Sequence, residues 1–296
     1  MKSIAEWKRC TRVNKFGSLS AQDGDNKLGV GIVEALLTDQ MRLLVLVGLC
    51  SLLWSLESII PLYRYPNSRV RHALPNVALT LLLVLTNLAL SFSSAYLAAF
   101  TVRNGVGLFP VLGLSVSTQA VFGVVALDLF AYFAHVLLHK SWLGWQFHRV
   151  HHSENAVDVT TAFRQHPGEG IWRILWQLAA ILVFGIPIWV VIVYLIVSGL
   201  NAQLEHANIR LNSNLDRLLR VLIVTPHMHK VHHSRDQKET DSNYSNIFSI
   251  WDRIFGTYTG AIDFQKLRYG LDGFDSRETQ TLRGLLLMPF AKYRRA

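Results

Sequence analysis

The sequence predicts an all-α integral membrane protein. It comprises about three transmembrane helices plus a re-entrant helical hairpin, with a cytoplasmic helical lobe that carries clustered histidines. Three observations predict this class. Only 17% of the 296 residues are charged, against about 25% in soluble domains. The deficit is concentrated: residues 77–100, 104–127 and 174–204 contain no Asp, Glu, Lys or Arg, and residues 43–62 contain only Glu57. Each run approaches or exceeds the ~20 residues that span a bilayer. Finally, all of the 12 histidines except His72 fall between His135 and His233.

The elements follow in order. Residues 1–40 read as a polar N-terminal tail without the apolar stretch of a cleavable signal. Residues 41–276 read as one membrane-embedded domain and residues 277–296 as a basic, interfacial C-terminal tail. The first membrane helix is expected from Met41 to Leu62, ending at Pro61-Leu62-Tyr63-Arg64. Arg64, Arg69 and Arg71 then form a basic loop, and a second helix runs from Asn76 to Phe100. Val106–Val116, with two glycines and Pro110, reads as a partly broken entry to a third helix over Thr118–His139.

The uncharged run 174–204 would measure about 46 Å as one helix, well over the ~30 Å hydrocarbon core. Two full crossings would need more residues. A hairpin turning near Gly185-Ile186-Pro187 keeps all histidines on one side, with legs of about eleven and seventeen residues.

The net charge of +9 suits a lobe lying on anionic lipid, because Lys and Arg are retained on the cytoplasmic side. That places the histidines in the cytoplasm. No basic patch is interleaved with aromatics, so nucleic acid is not an expected partner. Cys10 and Cys50 are the only cysteines, which excludes a disulfide framework or a cysteine metal site.

The histidines form His135-x-x-x-His139, His148-x-x-His151-His152 and His229-x-x-His232-His233, with His206 between the last two. Spacings of three and four place side chains on one helical face. Neutral imidazole binds iron, zinc and copper. Nine such groups are too many for one ion and suitable for two. His166 is divided between a ligand and an outer group, and His227 lies on another helical face and reads as a surface residue.

Asp128, Tyr132, His135 and His139 share one helical stripe, so Asp128 reads as a carboxylate that orients an imidazole. Its alternatives are snorkelling toward the interface or an interhelical hydrogen bond. Tyr132, Asn208, Asn243 and Asn246 are further candidates for holding imidazoles or water, with turn or cap roles as the alternative for the asparagines, and Glu169 is either a base just outside the ligands or a solvated surface group.

This order of boxes in an apolar chain resembles the fatty acid hydroxylase / sterol desaturase superfamily. The resemblance runs from about Trp54 to Thr259. It includes Thr160-Thr-Ala-Phe-Arg-Gln-His-Pro-Gly-Glu169, Glu205-His206-Ala207-Asn208, Asp241-Ser-Asn-Tyr-Ser-Asn246 and Trp251-Asp-Arg-Ile-Phe-Gly-Thr-Tyr258. Val136 and Ser245 depart from residues common in the family.

The resemblance implies two iron ions, replaceable by zinc on purification, and O2. It also implies a lipid substrate that is hydroxylated or desaturated. Electrons would come from a separate cytochrome b5-like or ferredoxin-like protein. The competing classes are a zinc-dependent membrane hydrolase and a non-catalytic metal-binding membrane protein. The first would want His-Glu-x-x-His, which this chain lacks.

Overall fold

A computed structural model describes residues 39–64, 68–260, 264 and 267–292. Apart from the helix start at Asp39, the expected tail 1–40 lies outside them. Every regular element among the described residues is helical, joined by two isolated antiparallel bridges, Pro61 with Ile209 and Ile223 with Phe248.

Helix α1 (Asp39–Ile59) is followed by α2 (Arg69–Asn104), a 36-residue helix of about 54 Å. A short helix, α3 (Leu108–Leu112), leads into α4 (Val116–Lys140). The stretch Arg69–Leu112, helix α4 and a later helix, α7 (Ile188–His206), are each long and apolar enough to cross a membrane. Outward apolar side chains such as Leu81, Leu85 and Phe92 remain exposed, as lipid-facing residues do. Helix α1 is a shorter apolar candidate, over Leu43–Ile59.

Helix α2 begins seven residues before the expected Asn76. Arg69 in its first turn binds Glu57 at 2.6 Å and the Trp54 carbonyl at 3.1 Å, so the basic loop is drawn into the helix. Pro75 falls in the second turn, where its missing N–H leaves only one helical carbonyl unbonded. The expected broken entry segment is α3, flanked by Gly107 and Gly113, both at positive φ.

Helix α4 ends at Ser141, whose hydroxyl accepts from Gly144 N–H and so starts α5 (Trp142–His152). A 3₁₀ turn (Val159–Phe163) is closed by a capping box in which the Asp158 and Thr161 side chains each bond to the other's end. The hairpin follows as α6 (Pro167–Phe184) and α7, turning at Gly185-Ile186-Pro187.

The turn is where the sequence predicts it, but the legs are 18 and 19 residues long. Charge does not end them, because Glu169 and Arg173 pair within α6 at 2.7 Å and the helix continues through both. Each leg is therefore about 27–29 Å long, deeper than the expected legs. Gly185 sits at φ 69°, and a Cβ on Gly107 would lie 2.2 Å from the Gly185 nitrogen. Both hairpin turns thus meet backbone to backbone, at the end of the bundle away from the histidines.

The remaining helices are short: α8 (Ser213–Leu219), α9 (Pro226–His232), α10 (Gln237–Thr240), α11 (Ile250–Ile254) and α12 (Leu282–Leu287). Near the expected interfacial tail, Leu285 and Met288 are buried with Leu79 and Trp145, while Leu287 and Phe290 are exposed.

Candidate metal centre

Four helix ends converge on one point. The last two turns of α4 carry His135 and His139, α5 carries His148, His151 and His152, and α9 with its cap carries His229, His232 and His233. The final residue of α7 supplies His206. Thr225 caps α9 through the Met228 N–H, and Pro226 opens it, so the third box is helical despite its seven residues.

The nine imidazoles sort into two buried groups. His135, His139, His148, His152 and His232 form one, and His151, His206, His229 and His233 form the other. Within each, the candidate ligand atoms lie within 4.8 Å of one another. The second box is divided between the groups: His148 and His152 face one, and His151 faces the other.

Tautomer logic fixes which nitrogens face inward. His135 Nδ1 donates to the Tyr244 carbonyl at 2.7 Å, His232 Nδ1 to Ser242 at 2.7 Å, and His206 Nδ1 to Ala202 at 2.7 Å. A carbonyl can only accept, so these Nδ1 atoms carry the proton and each Nε2 presents a lone pair. His151 Nδ1 does the same to Arg164 at 3.3 Å. Carboxylates take the role elsewhere: Glu169 Oε1 lies 3.1 Å from His148 Nδ1, and Asp241 Oδ1 lies 3.4 Å from His139 Nδ1.

Where both Nδ1 atoms face an acceptor, as in His206 with His151 and His135 with His148, the inward Nε2 atoms meet lone pair to lone pair. Nε2 of His206 lies 3.1 Å from Nε2 of His151, 3.0 Å from that of His229 and 3.1 Å from that of His233. In the larger group, His135 and His148 approach to 3.0 Å, and His148 and His152 to 3.2 Å. His232 Nε2 is buried without a hydrogen-bond partner. Lone pairs facing each other at this distance repel unless a cation lies between them. Both groups thus offer converging nitrogens that fit a bound cation.

Electrostatics agree. Burial, and then neighbouring imidazoles, hold His151, His152, His229 and His233 well below the ordinary histidine range. Burial takes His232 down to about 3. All are neutral near pH 7, the form that binds a metal.

Other predicted residues stand elsewhere. Asp128 reaches no imidazole: it accepts from the backbone N–H of Ile247 at 3.2 Å and Phe248 at 3.0 Å, and from the Trp251 indole at 2.9 Å. It lies two helical turns below His135, beside a segment of unpaired backbone donors that a carboxylate satisfies better than a ring nitrogen does. Tyr132 donates to or accepts from Thr257 Oγ1 at 2.8 Å and stacks on Phe255, one layer outside the histidines. Asn208 bonds both ways with the Tyr63 backbone, at 3.1 and 2.9 Å. Asn246 binds Ser198 at 2.7 Å.

Asn243, at φ 53°, does act on the site at one remove. Its amide donates to the Met228 and Thr259 carbonyls, fixing the loop whose Ser242 carbonyl holds His232. His166 belongs to neither group; it caps α6 by accepting from Gly168 N–H at 3.0 Å. His227, read as a surface residue, is 7% exposed, with Asp216 at 3.6 Å and the Leu211 N–H at 3.3 Å. Helix α8 folds over the face that the helical wheel leaves outside the box.

Sequence reasoning passed over Asp241, Lys230 and Arg164. Lys230 is fully buried inside the third box and donates to the Val157 carbonyl at 2.8 Å and to the His206 carbonyl. Burial takes its pKa down to about 7. Arg164 is also buried, binding Val150, Asn76, Ser153 and Gln280 while its own carbonyl takes the His151 proton. A charged residue next to a histidine box was the available signal for Lys230.

A helical membrane protein with two buried polyhistidine groups at one end of its bundle is thus defined by the fold and site. Residues 120–257 match the fatty acid hydroxylase family. Ornithine lipid hydroxylase OlsE of Rhizobium tropici is 29% identical over 140 residues, 47% of this chain and 41% of that protein. Alkylglycerol monooxygenase of Xenopus tropicalis is 34% identical over 149 residues, covering 50% of this chain and 31% of that protein. Methylsterol monooxygenase 2-2 of Arabidopsis thaliana is 26% identical over 187 residues, 62% and 68% of the two chains.

The chain is similar to the fatty acid hydroxylase family over residues 120–257, just under half of its length. It spans less than half the length of the first two of these relatives. No solved structure matches.

Proposed function

We propose that this chain is a membrane-bound di-iron oxidase that hydroxylates a lipid C–H bond, using O2 and electrons from a separate cytochrome b5-like or ferredoxin-like protein. The observation that carries the reading is the pair of inward-facing imidazole groups, five and four strong, at the end of a membrane bundle. Hydroxylation is favoured over desaturation because the relatives are named hydroxylases and monooxygenases. The balance is one oxygen atom into the C–H bond and the other released as water, with two electrons and two protons from the donor side.

The iron pair, when bound, supplies the O2 activation that an unactivated C–H bond requires. The nine histidines hold it, with His135, His139, His148, His152 and His232 at one ion and His151, His206, His229 and His233 at the other. Carbonyls of Tyr244, Ser242, Ala202 and Arg164, with Glu169 and Asp241, keep each imidazole in the ligating tautomer. The surrounding side chains exclude water, since all nine histidines are buried. By the positive-inside rule the histidine end lies in the cytoplasm.

The test is lipid analysis of cells with and without the chain under isotopically labelled O2. A lipid gaining one labelled oxygen is expected. A product that only loses two hydrogens would make it a desaturase, and an unchanged lipid profile with iron-loaded, folded protein would overturn the reading.

A further inference from the structure

We infer that the shelf formed by residues 218–224 and 246–255 is immersed in the hydrocarbon of the bilayer and is a contact surface for lipid chains. The first support is depth. Asp128 on α4 binds Ile247, Phe248 and Trp251, and it lies seven residues, about 10 Å, below His135. Ser198 on α7 binds Asn246 at 2.7 Å, and it lies eight residues, about 12 Å, before His206. Two helices that are long and apolar enough to cross a membrane thus independently hold this segment well below the histidine end.

The second support is the surface. Leu218, Val221, Leu222 and Ile254 are 70%, 55%, 71% and 59% exposed, and Phe255 is 45% exposed. The two segments of the shelf are joined: Ser249 N–H bonds the Leu222 carbonyl at 3.2 Å, and Val224 N–H bonds the Ile247 carbonyl at 3.0 Å. A soluble protein rarely leaves such a patch to water.

The third support is backbone accounting. Irregular backbone survives at membrane depth only where protein satisfies it. Here the Asp128 carboxylate takes two N–H groups, Asn201 donates to the Asn246 carbonyl at 2.5 Å, and Arg253 donates to the Ser249 and Arg220 carbonyls at 2.8 and 2.7 Å. This gives the intramembrane aspartate a purpose. It caps donors that lipid could not.

A lipid chain lying on the shelf touches Phe255, whose ring stacks on Tyr132 at 5.3 Å. Tyr132 lies 6.4 Å from Tyr244, which in turn lies 5.0–5.7 Å from the rings of His139, His135 and His232. Approach of a substrate chain along this line rests on the lipid-oxidation reading; immersion of the shelf does not.

The experiment uses the full chain in phosphatidylcholine vesicles, with Cys10 and Cys50 replaced by Ser. Nitroxide labels are placed at Leu222→Cys and, separately, at Ile254→Cys, and their collision rates with O2 and with a water-soluble nickel chelate are measured. Val121→Cys on the outer face of α4 serves as the lipid control and Asp272→Cys as the aqueous one. Both shelf labels should follow Val121, with at least a fivefold preference for O2 over nickel relative to Asp272. Nickel accessibility equal to that of Asp272 at both sites would overturn the inference. The readout needs no turnover, so it is independent of whether the chain oxidises a lipid.

Discussion

The two histidine groups are built from the same residue type on shared helices, yet they are supported differently. In the five-histidine group, four rings have their outer nitrogen against an acceptor: Tyr244 and Ser242 carbonyls, Glu169 and Asp241. In the four-histidine group, only His206 and His151 do, while Nδ1 of His229 and of His233 is buried without a hydrogen-bond partner among the described residues. The smaller group has instead a buried carboxylate on its inner side, Glu205, with Oε1 3.8 Å from His229 Nε2. Outer partners fix ring orientation and raise ligand basicity. The five-histidine group should therefore hold its ion more firmly and in one geometry, and the four-histidine group should be the adaptable one.

Removing a ligand is the severest way to break the comparison. His148→Ala or His232→Ala should abolish turnover and halve the metal content, with membrane insertion unchanged. Elemental analysis of the folded variants checks this, and two ions retained in His232→Ala would remove it from the ligand set.

A gentler change sharpens the difference. Glu169→Gln and Asp241→Asn should each weaken metal binding by roughly 10–100-fold at the five-histidine group alone. In the unaltered protein a chelator should extract the four-histidine ion first; in these variants the order should converge or reverse. Equal extraction rates in all three proteins would mean that the outer partners do not govern affinity.

Much of this was legible in the sequence, and the illegible part has a common cause. Spacing of three and four gathers the box histidines because helical periodicity is local, and Gly185 and Pro187 mark the hairpin turn for the same reason. His206 was legible only as an outlier, yet it takes the centre of its group. The partners of His135, His232, His206 and His151 are backbone carbonyls, which every residue possesses, so no side chain announces them. Asp128 was conspicuous as a charge in an apolar helix, but its partners lie 119 to 123 residues away. The depth of the hairpin is not legible from the uncharged run, because Glu169 and Arg173 neutralise each other inside the first leg.

Acidification should weaken both groups. Burial depresses the pKa of His151, His152, His229, His232 and His233, so on acidification the unfolded chain gains protons before the folded one. Stability is then fully present above the unfolded value of about 6.5. It is lost as pH falls from there toward the folded value, about 3 for His232. The thermal midpoint of metal-stripped protein should drop between about pH 7.5 and about pH 5.5; a rise would contradict the burial of neutral imidazoles.

The smallest effects belong to the histidines outside both groups. His166→Ala removes a helix cap and should cost about 1 kcal/mol with metal content unchanged. His227→Ala should keep most of the activity, because its partners are Asp216 and the Leu211 N–H rather than another imidazole.

The central claim is that nine histidines form two metal sites of unequal support. Metal stoichiometry measured on monodisperse, folded protein, alongside stepwise chelation, tests it most directly. Two ions per chain should leave in two phases, with the slower phase lost in His148→Ala and the faster in His229→Ala. One ion or fewer per folded chain, or a single phase that both variants abolish together, would contradict it.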